Sequence, residues 1–246
     1  MRLRGPLLGL CLAGAALLAP DVTSANTIVV DSDEDDVPTV VNGDCTLREA
    51  ISSVGSIGVD DCEDGDDAAI DKIVFDDLPA GPQVIDADRH FILNSVMEID
   101  ASGHDGEVRI DGSSAASGFR DHGIQPRADN IRIEGLSVTN WDQTGIKVDT
   151  NNNGTDAADG VQLIDNFIGT DEAGTTGLGN GSFGVTVGLP AAGATREPDG
   201  TVISGNVISG NGNGIGIRGD LTQNTTVSGN LIGTTPAGTA ALGNTL

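Results

Sequence analysis

The stretch VISGNVISGNGNGIGI, residues 202–217, decides the fold. Pairs of Val and Ile alternate with small polar residues, and Gly-Asn turns cut the chain every few positions. Strands this short cannot build a conventional two-sheet core. They suit a coil whose successive turns stack at the parallel-strand spacing of about 4.8 Å. Three other segments superpose on the first half of this stretch: IEGLSV (133–138), LIDNFIG (163–169) and VSGNLIG (227–233). Their central turns place Leu136, Asn166, Asn206 and Asn230 in one column. A partner strand follows in three of the repeats, as GIKV (145–148), GVTV (184–187) and GIGI (214–217). The connector recurs too, IGTDEAGTTGLGN at 168–180 against IGTTPAGTAALGN at 232–244. Internal repetition at this scale is the mark of a solenoid.

Small branched side chains at alternating positions fill such a coil from within, so Ile133, Ile203, Ile208, Val227 and Ile232 are the expected interior. Glycine supplies the positive φ of the corners. Asn166, Asn206 and Asn230 form the expected structural Asn ladder, since asparagine tolerates the left-handed region and its amide can bond the turn above or below. Working toward the N-terminus, TIVV (27–30), KIVF (72–75), QVID (83–86), MEID (97–100), VRID (108–111) and IRIEGLSV (131–138) read as further strands. Residues 46–52 read as a short helix: Asp44 or Thr46 can cap it, and Glu49 lies three residues after Thr46.

Composition agrees with a core of small side chains: 36 glycines in 246 residues, five Phe, one Trp and no Tyr. Twelve basic against 37 acidic residues give a net charge of −25. No basic stripe exists for a phosphate backbone, so nucleic acid is excluded as a partner, and docking to anionic lipid is disfavoured. The start, MRLRGPLLGLCLAGAALLAPDVTSA (1–25), has the basic, apolar and small-residue order of a secretory signal. No transmembrane segment remains after its removal. The expected location is secreted or cell-surface. Cys45 and Cys62 are then the remaining cysteines, and in an oxidising compartment they are expected to pair. Closing that acidic loop would stabilise by about 3 kcal/mol in the loop-entropy model.

CTLREAI (45–51), after an extended segment and an acidic loop, resembles the CSLREA signature at the start of bacterial secreted and surface β-helix proteins. The repeats behind it are similar to right-handed parallel β-helix repeats of the broad pectate-lyase-like superfamily. The resemblance implies an all-β, right-handed parallel β-helix with a short N-terminal capping helix. Its expected divisions are a signal at 1–25, a cap with an acidic loop at 26–71, and the helix proper at 72–246, truncated at its C-terminus. It does not imply one activity.

Catalytic elements of the superfamily are not recognisable. His122 in DHG (121–123) lacks a later Arg-x-Lys partner, and His104 in SGHDG has no partner set by spacing. Arg132, Lys147 and Arg218 belong to no known element, so no catalytic set is named. Trp141, followed by Phe183, offers either a sugar platform or a filling for a corner or the core. Asp149, Asn151 and Asn153 alternate before Gly154, as in the first half of a calcium loop, with the Thr155 carbonyl and Asp159 as further ligands. Calcium there would be structural, and the alternative reading of 149–160 is a solvated turn without metal. The leading expectation is a non-catalytic adhesion, matrix or glycan-contacting module whose partner is an extracellular glycan or surface protein. The alternative is a polysaccharide lyase or glycoside hydrolase with a degenerate site or one beyond residue 246.

Overall fold

The computed structural model describes residues 26–35, 41–55, 61–65, 69–116, 118, 120–149, 157–188 and 195–245. The leader at 1–25 and the calcium-loop positions Asn151, Asn153 and Thr155 lie outside these residues. The described chain winds as a parallel β-helix with three faces. Sheet A holds β1 (Thr27–Val29), β2 (Asp71–Val74), β5 (Met97–Asp100), β8 (Arg132–Glu134), β11 (Gln162–Ile164), β14 (Val202–Ser204) and β17 (Thr226–Ser228). Sheet B holds β3 (Gln83–Asp86), β6 (Val108–Asp111), β9 (Leu136–Thr139), β12 (Phe167–Ile168), β15 (Val207–Ile208) and β18 (Leu231–Ile232). Sheet C holds β4 (Phe91–Leu93), β7 (His122–Pro126), β10 (Thr144–Val148), β13 (Phe183–Val187) and β16 (Asn213–Ile217). Each turn visits A, B and C in order, so strands adjacent in a sheet come from successive turns and all pair in parallel.

The A-to-B corner explains why the turns are so short. Gly135, Asp165, Gly205 and Gly229 occupy it with φ of 73, 51, 74 and 65°, and each precedes a member of the Leu136–Asn166–Asn206–Asn230 column. The left-handed residue is thus the one before each asparagine, which frees the asparagine side chain to point into the stack. Asn206 Oδ1 accepts from Asn166 N and Nδ2 at 2.9 and 3.0 Å, and Asn230 Oδ1 accepts from Asn206 N and Nδ2 at the same distances. Their Nδ2 groups also donate to carbonyls of the preceding turn, Asn166 to Ile133 and Asn206 to Leu163. Buried backbone groups at the corner are satisfied in this way.

A second ladder runs along the B-to-C corner. Asn180, Asn211 and Asn244 repeat the pattern: Asn211 Oδ1 accepts from Asn180 N at 3.1 Å and Asn244 Oδ1 from Asn211 N at 3.0 Å. Trp141 begins this ladder as Leu136 begins the other, donating its backbone N–H to Asn180 Oδ1 at 3.1 Å. Its indole is buried, 1% exposed, in space left by Gly112 and Gly123, where an added Cβ would come within 2.5–2.7 Å of the ring. Of the two settings open to Trp141, the corner filling is the one found, and the sugar platform is ruled out. The ring is a corner filling whose apolar area is worth more inside than out.

Ile133, Ile203 and Ile208 are fully buried, as the alternation requires. Val227 and Ile232 are 42% and 45% exposed, contrary to expectation. They sit on β17 and β18, the terminal strands of sheets A and B among the described residues.

At the other end, helix α1 (Leu47–Ser53) follows β1 and covers the first complete turn, burying Leu47 and Ala50. Thr46 is its N-cap and forms a full capping box with Glu49. Cys45 and Cys62 are joined by a disulfide. Arg48 ties the cap to the coil: it chelates Asp35 at 2.6 and 2.7 Å and donates to the carbonyls of Arg89 and His90. Asp31 Oδ1 accepts from Cys45 N at 2.6 Å. The acidic run at 31–35 thus supplies tethers for the cap.

Candidate functional site

The three sheets differ in how much of their outward side is accessible. On sheet C the outward Gln125 and Thr186 are 5% and 1% exposed, and on sheet B Ser137 and Thr139 are fully buried. Sheet A stays open: the side chains of Lys72, Glu98 and Arg132 are 37%, 30% and 30% exposed. Parallel register sets these three residues side by side, continuing into Gln162, and sets Asp100 beside Glu134 in the row next to them.

The side chains interlock across turns. Lys72 Nζ lies 2.6 Å from Asp100 and 3.5 Å from Glu98. Arg132 Nε lies 3.7 Å from Glu98 and donates to Glu134 at 3.0 Å, while its Nη1 donates to Gln162 Oε1 at 3.2 Å. The hydrogen bond to Asp100 raises the Lys72 pKa against the opposing effect of burial. For Asp100, burial pushes upward, but hydrogen bonds from Lys72 and Ser102 outweigh it and hold the carboxyl below its ordinary range. Beyond Gln162 the face turns neutral, with Val202, Ser204, Thr226 and Ser228, and Ser228 Oγ lies 3.3 Å from Ser204 Oγ.

Ligand oxygens of Glu98, Asp100 and Glu134 lie within 4.8 Å of one another, so this carboxylate group could hold a metal ion. Lys72 and Arg132 already neutralise it. An ion would have to displace these cations, a competition that a divalent charge can enter. The sequence reading missed this grouping because its members come from different turns.

The expected calcium ligands fall elsewhere. Asp149 lies 2.8 Å from Lys147 Nζ, and Asp159 pairs with Arg196 while accepting from Asp199 N at 3.0 Å. Those two described members each have a cation of their own.

Both histidines have structural settings. His104 is buried, with Nδ1 3.1 Å from the Phe75 carbonyl and Nε2 3.0 Å from the Gly81 carbonyl, so it clamps two corners together. His122 begins β7 close to Lys147. Burial, helped by the Lys147 charge, lowers its pKa to about 4, so the ring is neutral over the ordinary pH range. His122 Nδ1, Arg127 Nε and Thr186 Oγ1 are buried without hydrogen-bond partners among the described residues. Phe183 carries the Arg218 guanidinium 4.5 Å from its ring centre.

Glu107 lies beside sheet B, where burial raises its pKa against the pull of Ser137 and Arg109. Asp171 is held below its ordinary range: burial opposes this, but bonds from Thr175 and the Arg109 charge prevail. No helix among the described residues is long and apolar enough to cross a membrane.

No protein-family model and no curated protein matches the chain. The likeness of CTLREAI to the CSLREA signature therefore stands on those seven residues alone. The architecture places the chain with parallel β-helices as a class, a scaffold that hosts enzymes and binding modules alike.

Proposed function

We propose that the protein is a secreted or cell-surface β-helix that contacts an extended glycan, without cleaving it, through the open face of sheet A. One observation carries the reading: Lys72, Glu98, Arg132 and Gln162 form a polar row with one member per turn on the accessible sheet. Turns repeat at the strand spacing of about 4.8 Å, close to the length of one pyranose unit. A hydroxyl-rich polymer crossing the turns would meet a donor or acceptor at each sugar. The side chains are already fixed by their neighbours, so little conformational entropy is lost when they are engaged. Location outside the cytoplasm is supported by the order of residues 1–25 and by the Cys45–Cys62 disulfide.

The test is to follow retention and turnover of soluble polysaccharides together. The parent should be retarded in gels containing one class of glycan, and the double variant Glu98→Gln, Gln162→Ala should weaken that retardation, with its melting temperature measured alongside to show that the fold is kept. No new reducing or unsaturated ends should form. Turnover would move the protein to the lyase or hydrolase class. Retardation unchanged in the variant would place the contact on another face.

Calcium belongs to the same proposal as a stabiliser at 149–160, drawn by the Asp149–Asn151–Asn153 alternation in a chain of net charge −25. Calcium should raise the melting temperature more than sodium at matched ionic strength, and Asp149→Ala should remove the difference. Equal responses to the two salts would leave 149–160 an ordinary solvated turn.

A further inference from the structure

At the corner that leads from sheet C back to sheet A, β16 runs into a turn where Ile217, Arg218, Gly219, Asp220 and Leu221 are exposed in succession. Two opposite charges flank a glycine there. Elsewhere in this acidic chain Lys72, Arg132, Lys147 and Arg196 each lie against a carboxylate. Arg218 forms no ion pair among the described residues, and the Asp220 carboxylate neither accepts a hydrogen bond nor joins an ion pair there. An arginine and an aspartate two residues apart are thus both presented to solvent, unpaired with each other or with a neighbour.

The turn that presents them is built to stay in place. Glu197, only 6% exposed, reaches beneath it, and its Oε2 accepts from Leu221 N and Thr222 N, both at 2.7 Å. Thr222 Oγ1 donates to the Arg218 carbonyl at 2.6 Å and closes the turn. Gly219 has a φ of 95°, and an added Cβ would collide with the Glu197 carboxylate, so glycine is required between the two charges. Arg218 is anchored at both ends: its backbone N–H donates to the Val187 carbonyl at 2.9 Å, and its guanidinium lies 4.5 Å from the Phe183 ring centre. Stacking occupies the face of the guanidinium and leaves its N–H edge free.

We propose that residues 218–220 dock a cell-adhesion receptor that takes the Asp220 carboxylate on a divalent cation of its own and the Arg218 guanidinium in an acidic pocket. A free carboxylate completes the oxygen coordination of such a cation. The planar fork of Arg218 pairs with a receptor carboxylate through two parallel hydrogen bonds. Because Glu197 and Phe183 already hold the turn, little conformational freedom is lost on docking. Leu221, 44% exposed, adds an apolar contact beside the pair. The turn joins β16 to β17, outside the row of Lys72, Glu98, Arg132 and Gln162, so this contact does not depend on glycan recognition.

The experiment is surface plasmon resonance with the full chain immobilised. The probe is the purified ectodomain of a cell-adhesion receptor that binds Arg-Gly-Asp peptides through its own divalent cation. Its glycans are removed beforehand, so that sheet A contributes nothing. Binding should saturate in manganese, disappear in EDTA, and be displaced by the peptide Gly-Arg-Gly-Asp-Ser but not by Gly-Arg-Gly-Glu-Ser. Asp220→Glu keeps the charge and every bond of the turn but moves the carboxylate by one methylene. It should weaken binding by roughly a hundredfold, and Arg218→Gln by roughly tenfold. No binding in manganese, binding that survives EDTA, or full affinity in the Asp220 variant would overturn the proposal.

Discussion

Asn206 shows how much one side chain does in this molecule. Its oxygen accepts two bonds from Asn166, and its nitrogen donates to the carbonyls of Leu163 and Ser204 and to Asn230 Oδ1. Replacing it with alanine strands the Asn166 backbone N–H and the Leu163 carbonyl in a buried corner, and unsatisfied buried groups cost about 1–3 kcal/mol each. Asn206→Ala should lose about 3 kcal/mol in urea unfolding, and Asn230→Ala less, since that corner is partly open. His122 makes a prediction of a different kind. Its folded-state pKa is depressed from 6.5 to about 4, so the unfolded chain takes up the proton first as pH falls. Stability should therefore be intact above about pH 6.5 and decline as pH drops toward 4. The declines due to Asp100 and Asp171, whose folded pKa values are also depressed, begin lower, below their ordinary value of 3.8. Melting temperatures of the parent and His122→Gln across this range separate the two: the variant should be flat down to about pH 4, and a parallel decline in both would refute the assignment.

The elements themselves were readable to different degrees. Helix α1 was legible because Thr46, Glu49 and the apolar residues around them form a local code that needs no tertiary knowledge. Thr46→Ala should cost about 1 kcal/mol and shorten amide protection across 47–53 in hydrogen exchange. The A-to-B ladder was legible because VISGN, VSGN and LIDN repeat the turn in nearly the same words. The B-to-C ladder was not, although the clue was present: LGN closes both copies of the connector at 178–180 and 242–244. Its middle member, Asn211, sits in a four-residue turn between β15 and β16 without any connector, which hid the register. β4 and β7 escaped for a similar reason, since FIL and HGIQP stand outside the repeats and Pro126 argues against a strand. The burial of Trp141 could not be read locally, because the space it fills is made by Gly112 and Gly123 from other parts of the coil.

At the scale of the whole molecule, stacking converts distant residues into columns. Lys72, Glu98, Arg132 and Gln162 span ninety positions, yet they form one continuous row on sheet A. No spacing rule reveals that row before the turns are in register, and turns of unequal length scatter its members along the chain. The charges illustrate the same point: a net −25 chain still assembles an ion-pair lattice on its open face. Because each turn contacts its neighbours, a register error in one would displace every column beyond it. The register of sheet A is therefore the central claim, and it can be measured directly. Ser204 and Ser228 are paired across successive turns, with hydroxyls 3.3 Å apart, so Ser204→Cys combined with Ser228→Cys should oxidise to an intramolecular disulfide. The offset pair Ser204→Cys with Thr226→Cys should close far less readily. Rapid closure of the first pair alone, read by peptide mass mapping, is the expected result; preferential closure of the offset pair, or closure of neither, would contradict it.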